Sequence, residues 1–455
     1  SNFMNLSRTD SGFFRPGKSN LSSIQVLLGD FINDRDSPSL IRKLHENKVE
    51  GLSNSSWGKS EPLEKVVINN EDLVKILNHP KMLKNSICII EPAEHVGTNL
   101  SGENVRASSN IAYLSQFIAD CDSILIPLWC SKELDHSLII DLLNGCLAYF
   151  IEGGYPSVKD HKTFYNLNFG LNELQILTEK MLISRELKTA PGIFICLGHQ
   201  LAAQAHIKLL KKATKEVLKK LNPDIFSISS HYQNLIETSK RIIKVGENLN
   251  VYKDNKLVAK GWKDPLFAVA LNEVPEVGQV ELQHYSHTGD HPSSDFQKLL
   301  MYHDLSSELD IGIIEQSITY EKNLNIVMFH SYEVNEEAIL FSNWAYGELR
   351  NALFPARKEL SVSENAWLLK LPTSIEIVCS TFAEGKKCTE VAATCINYMD
   401  YETKDIRRSF SFQFHPELLN DLREFRLAGV PKYDKLKNDD GIRMLIRVIY
   451  ESITD

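Results

Sequence analysis

The sequence predicts an α/β protein: a doubly wound, mostly parallel sheet in which one strand turns sharply into a long helix at a cysteine. Three observations predict it. From Ser86 onward, short continuous apolar runs alternate with helical patterns, the βαβα order of such sheets. The strand-like run Gly192-Ile193-Phe194-Ile195 stops at Cys196, and a long helical pattern follows at once. A second strand-like run, far downstream, ends in Phe412-Gln413-Phe414-His415-Pro416-Glu417. The main domain is read as residues 85–455, with an N-terminal extension over 1–84 and an insertion or elaboration at about 223–360.

Within the extension, residues 11–23 are rich in Gly, Ser and polar residues and read as loose. Ile24 to Leu28 fits a short strand, Ser39 to Lys48 a short helix, and Leu52 to Glu61 a loop. Glu71 to Leu77 reads as a helix that His79-Pro80 stops. No catalytic motif stands in this segment, which reads as a packing or partner-docking appendage. Next, Ile87-Cys88-Ile89-Ile90 is an apolar run suited to a parallel strand buried on both faces. Ile111 to Ala119 reads as a helix, Ser123 to Leu128 as a strand, Leu134 to Leu143 as a helix and Cys146 to Ile151 as a third strand. That strand runs into Glu152-Gly153-Gly154-Tyr155-Pro156, where two glycines permit close backbone approach to a ligand. A helix over Asn172 to Leu187 precedes the Cys196 strand.

At Cys196 the layout is that of a nucleophile elbow, a strand-to-helix turn that presents one side chain at the strand's carboxyl end. The first helical N–H groups face the sulfur, and the helix dipole favours thiolate. The following helix has apolar positions Leu210, Ala213, Val217, Leu218 and Leu221, with lysines mostly on other faces, and Asn222-Pro223 ends it. Residues 223–360 carry fewer signals: a strand over Asn325 to Phe329 and a helix over Asn343 to Leu353. His284, His287 and His291 cluster in a polar loop without the companion ligands of a zinc site, so a surface loop is expected and no metal. Ile375 to Ser380 and Ser409 to Phe414 read as strands, the latter delivering His415. Cys388 and Cys395 lack metal-clip spacing and read as buried thiols. Residues 418–425 and 441–453 read as closing helices.

Together, Cys196-Leu197-Gly198-His199-Gln200 and His415-Pro416-Glu417 resemble the two motifs of the class I glutamine amidotransferases, in the family's order. The resemblance covers roughly residues 85–455 and implies that family's elbow-bearing α/β fold. It also implies release of ammonia from glutamine through a γ-glutamyl thioester, with Cys196 as nucleophile, His415 as base and Glu417 as its orienter. The chemistry fits the residue types. An amide is a poor electrophile, so it needs a strong nucleophile and a proton donor for the leaving ammonia. Glu417 is read on the same strand and face as His415. By the resemblance, the oxyanion hole falls to backbone N–H groups near Gly154 and of Leu197. Gln200 is expected to touch the bound glutamine, and His199 to be structural.

In one place the chain departs from the family. Phe194 stands where the family carries Gly two residues before the nucleophile, and Gly192 lies two residues earlier. Either neighbouring elements have moved apart or the elbow is altered. Two alternatives therefore stand beside the glutaminase reading: a cysteine hydrolase of another γ-glutamyl amide without ammonia transfer, and a non-catalytic binding relative.

Composition bounds the rest. A net charge of −9 argues against a broad nucleic-acid surface. No apolar run approaches a membrane span, no signal-peptide pattern opens the chain, and eight cysteines show no framework spacing. A cytoplasmic, membrane-independent protein is expected. No Walker-type or adenylating loop is present, so hydrolysis is expected to need no ATP and no cofactor. Any coupled synthesis would fall to a separate synthetase or acceptor subunit.

Overall fold

The computed structural model describes residues 65–92, 121–128, 131, 133–153, 191–226, 228–248, 250–253, 256–260, 268–284, 324–381 and 390–418, with short pieces elsewhere. Its main sheet has ten strands among the described residues. In chain order they are β1 (Lys65–Val66), β2 (Ser86–Glu91), β3 (Asp122–Pro127), β4 (Ala148–Ile151) and β5 (Gly192–Ile195). They continue with β6 (Val269–His284), β7 (Leu324–Val334), β8 (Ser374–Thr381), β9 (Glu390–Met399) and β10 (Ile406–Phe412).

Their spatial order is β7-β6-β8-β9-β10-β5-β4-β2-β3-β1. The run from β10 to β1 is parallel throughout, and the run from β7 to β10 is antiparallel. This is a mixed, mostly parallel α/β sheet. Strands β2 to β5 are buried at every position, which is why they read as continuous apolar runs rather than alternating ones.

The described helices include α1 (Asn70–Leu77), α2 (Pro80–Lys84), α3 (His136–Gly145), α4 (Leu197–Lys219), α5 (Ser229–Glu247) and α6 (Glu336–Leu353). Asn69 and Asp72 form a reciprocal capping box that starts α1. His79-Pro80 ends that helix as expected, and Pro80 then serves as the first residue of α2, where its missing N–H costs nothing. α1 and α2 pack on α3, while α4, α5 and α6 pack on one another. From Leu197 through Ile207 every residue of α4 is buried, so its first three turns run inside the protein. Farther along, Leu210, Ala213 and Val217 remain buried while Lys212, Lys215 and Lys219 are exposed, the amphipathic pattern the sequence showed.

Residues on both sides of the expected boundaries join this layer. β1, from the segment before residue 85, pairs with β3. Within 223–360, β6 and β7 extend the sheet and α6 packs against α4 and α5. The expected Asn343–Leu353 helix begins earlier, at Glu336, where Glu336 and Glu337 suit a helix N-terminus. The helix α5 and the strands β6 and β9 had no counterpart in the sequence reading. Most residues of the expected helices at 111–119 and 172–187, both closing helices, the loop after His284 and Cys388 lie outside the described residues. No described helix is long and apolar enough to cross a membrane.

Candidate active site

Cys196 sits between β5 and α4 with φ 53° and ψ −103°, a left-handed conformation rarely taken by a residue with a side chain. The fold pins it there from both sides. Its N–H donates to Phe412 O at 2.7 Å, and its carbonyl accepts from Gln200 N–H at 3.1 Å. Such a conformation costs on the order of 1–3 kcal/mol and persists only where surroundings over-determine it. The result is a sulfur held at the carboxyl end of β5, at the N-terminus of a 23-residue helix.

Close approach of α4 to the sheet depends on Gly198. A Cβ there would come within 2.4 Å of Ile151 O on β4. Two residues before the cysteine, Phe194 is fully buried and meets Tyr149 of β4 edge-on, with ring centroids 5.9 Å apart. Tyr149 in turn lies over Gly192, where an added Cβ would fall 2.7 Å from its ring. The large side chain at 194 is thus accommodated by removing one at 192, because the two positions share a face of β5. The strand-to-helix turn at Cys196 stays sharp, and Phe194 packs in the core.

The second motif arrives on the neighbouring strand. β10 pairs in parallel with β5, Phe412 opposite Ile195, so the residues after Phe412 emerge beside Cys196. His415 Nδ1–H donates to Glu417 Oε1 at 2.7 Å, and both side chains are buried. The expectation that Glu417 shares a strand with His415 is corrected here. β10 stops at Phe412, and Glu417 belongs to a 3₁₀ turn at Pro416–Leu418. Proline cannot donate to a strand ladder and fits the first position of a helical turn, so Pro416 curls the chain and brings the carboxylate back to the ring.

The Cys196 side chain acts electrostatically on the same imidazole. Burial alone would lower the His415 pKa. The electrostatic pull of Cys196 and then of Glu417 outweighs it and holds the pKa well above its ordinary value. With Nδ1 engaged by the carboxylate, Nε2 is the nitrogen placed to exchange a proton with the sulfur.

Gln413 was overlooked in the sequence. Its side chain is fully buried, its Nε2 donates to Cys196 Sγ at 3.6 Å, and its Oε1 accepts from Gln200 Nε2 at 3.3 Å. The available signal was a glutamine inside an apolar run, two residues before His415, since a buried amide demands partners. Gln200 therefore engages Gln413 through its amide nitrogen. His199 is structural, as expected: Nδ1 lies 2.7 Å from Ser411 Oγ and Nε2 3.0 Å from Val391 O. Leu197 is the first residue of α4, and helix-start amides such as its own have no intrahelical acceptor. Gly154 lies outside the described residues, although Glu152 and Gly153 are buried just past the end of β4.

The arrangement can generate a thiolate, deliver a proton from an imidazolium and orient that imidazolium with a carboxylate. No group of three or more side chains able to hold a metal occurs among the described residues. No protein-family model and no curated protein matches the chain.

Proposed function

We propose that the chain hydrolyses the side-chain amide of glutamine through a γ-glutamyl thioester on Cys196, in the manner of the class I glutamine amidotransferases. The carrying observation is the His415 imidazole held by Glu417 on one side and meeting the Cys196 thiol on the other, at a backbone turn that departs from ordinary geometry. The thiolate attacks the amide carbon, and the oxygen gains negative charge near the Leu197 N–H; the resemblance assigns a second donor to the Gly154 segment. His415 protonates the nitrogen, the C–N bond breaks and ammonia leaves. Water then attacks the thioester with His415 as base, giving glutamate and restoring the thiol. On this reading the sheet is of the class I amidotransferase type. The reaction needs neither ATP nor a cofactor, and a partner chain uses the ammonia where synthesis follows.

The test is ammonia release by the purified chain from glutamine and a panel of γ-glutamyl amides, with and without ATP and Mg²⁺. Glutamine should lead the panel, independently of ATP. A glutamine-like diazo-ketone should add once, at Cys196, and Cys196→Ala should lose both adduct and turnover. Activity retained in Cys196→Ala, with label on another cysteine, would overturn the reading. Preference for a different γ-glutamyl amide would keep the mechanism and replace the substrate.

A further inference from the structure

We propose that Gln413 is a thiolate-stabilising residue, locked into that task by Gln200. The proposal rests on Cys196 being the reactive thiol and adds to the triad a group that touches the reacting sulfur. Only the amide nitrogen of Gln413 can serve a thiolate, because sulfur in that state accepts and does not donate. The nitrogen is the atom placed 3.6 Å from Sγ. The orientation is not left to chance. A carboxamide can rotate by half a turn and present oxygen instead, which would repel the anion. Here Oε1 accepts from Gln200 Nε2 at 3.3 Å, and the reversed amide would set nitrogen against nitrogen. The backbone is fixed too, since Gln413 N–H donates to Ala392 O at 2.8 Å.

Gln413 and His415 follow β10 two residues apart, and both bear on the sulfur, Gln413 through its amide nitrogen and His415 through its ring. Their roles differ. His415 exchanges a proton with the thiol, whereas the amide of Gln413 cannot titrate. It favours the anion before substrate arrives and when the thioester is cleaved, with Sγ as leaving group. Gln200 belongs to the first turn of α4 and Gln413 follows β10 directly, so the amide pair also ties the two motifs together beside the nucleophile.

The experiment reads Cys196 itself rather than turnover. The full chain is alkylated with iodoacetamide across pH 5 to 10, and modification of the Cys196 peptide is followed by mass spectrometry. Gln413→Leu, similar in size without a donor, should slow alkylation at neutral pH on the order of 3–30-fold and move the midpoint of the pH profile upward. Gln413→Glu keeps the shape and places an anion at the sulfur, so it should shift the midpoint further the same way. Gln200→Leu should shift it less, because the donor remains and only its lock is lost. Thermal melts separate these effects from unfolding. If Gln413→Leu does not fold, the isosteric Gln413→Glu decides. Wild-type midpoint and rate in a folded Gln413 variant would overturn the assignment while leaving the triad intact. Failure of wild-type Cys196 to label would overturn both.

Discussion

Two buried histidines flank the strand-to-helix turn at Cys196, and their surroundings are opposite. His199 and His415 are each 1% exposed. His199 bonds to a backbone carbonyl and a hydroxyl: its Nε2–H donates to Val391 O, and Nδ1 meets Ser411 Oγ, which is itself bonded to Thr394 Oγ1. Through these bonds the ring acts as a strut joining the first turn of α4 to β9 and β10. His415 instead lies between a carboxylate and a thiol, an environment that favours the charged ring over the neutral one. Burial is therefore no guide to how the two rings differ. A carboxylate and a thiol act on one, while a backbone carbonyl and a hydroxyl meet the other.

The widest separation should come from removing each ring. On the proposed mechanism, His415→Ala loses the base and proton donor, so kcat/KM for glutamine falls on the order of 10³-fold or more. The diazo-ketone adduct slows with it, and the fold survives. His199→Ala should change kcat/KM by a few-fold in the folded enzyme. Steady-state kinetics beside a urea melt of both variants checks this. Comparable losses of turnover in the two would erase the distinction.

A smaller effect is expected from Glu417→Gln, where an amide oxygen still accepts from Nδ1–H but the charge is gone. Turnover should drop about 10–100-fold, less than for His415→Ala. The pH dependence carries a sign. The native pKa of His415 is raised, so its charged form adds stability that is complete below the unfolded value of about 6.5. That stability is lost as pH climbs through the raised native value. The gap in urea midpoint between wild type and Glu417→Gln should therefore shrink as pH rises from 6 to 10. A gap that widens would mean the ring is neutral at the start.

How much of this could be read in advance follows from the kind of signal each part leaves. The parallel strands β2 to β5 announce themselves because burial on both faces makes them solidly apolar. Cys196 stands at the end of such a run, where a chemically distinctive residue is conspicuous, and His415 follows the phenylalanine-rich end of β10. The antiparallel side is fainter. β6 reads Val-Ala-Leu-Asn-Glu-Val-Pro-Glu-Val-Gly, with a proline, a glycine and a register shift, and its strand character comes from pairing with β7 rather than from local pattern. Gln413 and the position of Glu417 were hidden differently. Both depend on where β10 stops, and element ends are set by tertiary hydrogen bonds such as Gln413 N–H to Ala392 O.

His199→Ala measures the structural half of the comparison. The substitution empties a fully packed site and strips partners from Val391 O and Ser411 Oγ. A loss of about 2–4 kcal/mol in unfolding free energy is expected, with the enzyme's pH profile unchanged. Asparagine at 199, which can both donate and accept, should recover part of that loss. A variant as stable as wild type would show that the strut is dispensable.

The smallest effects separate two tight fits at the elbow itself. Gly198→Ala places a methyl group against the Ile151 carbonyl, and backbone cannot step aside as a flexible side chain can. The elbow must shift, costing about 1–3 kcal/mol, and because Cys196 is the preceding residue turnover should fall as well. Phe194→Leu keeps an apolar group in the core, loses the edge-on contact with Tyr149 and should cost only about 1–1.5 kcal/mol. The informative reading is substrate preference. Since the Phe194 ring turns into the core against Tyr149, Phe194→Leu should leave the ratio of kcat/KM for glutamine to that for other γ-glutamyl amides unchanged. Gly198→Ala, which moves the nucleophile, should lower both values. A changed ratio in Phe194→Leu would show that this residue shapes the substrate site after all.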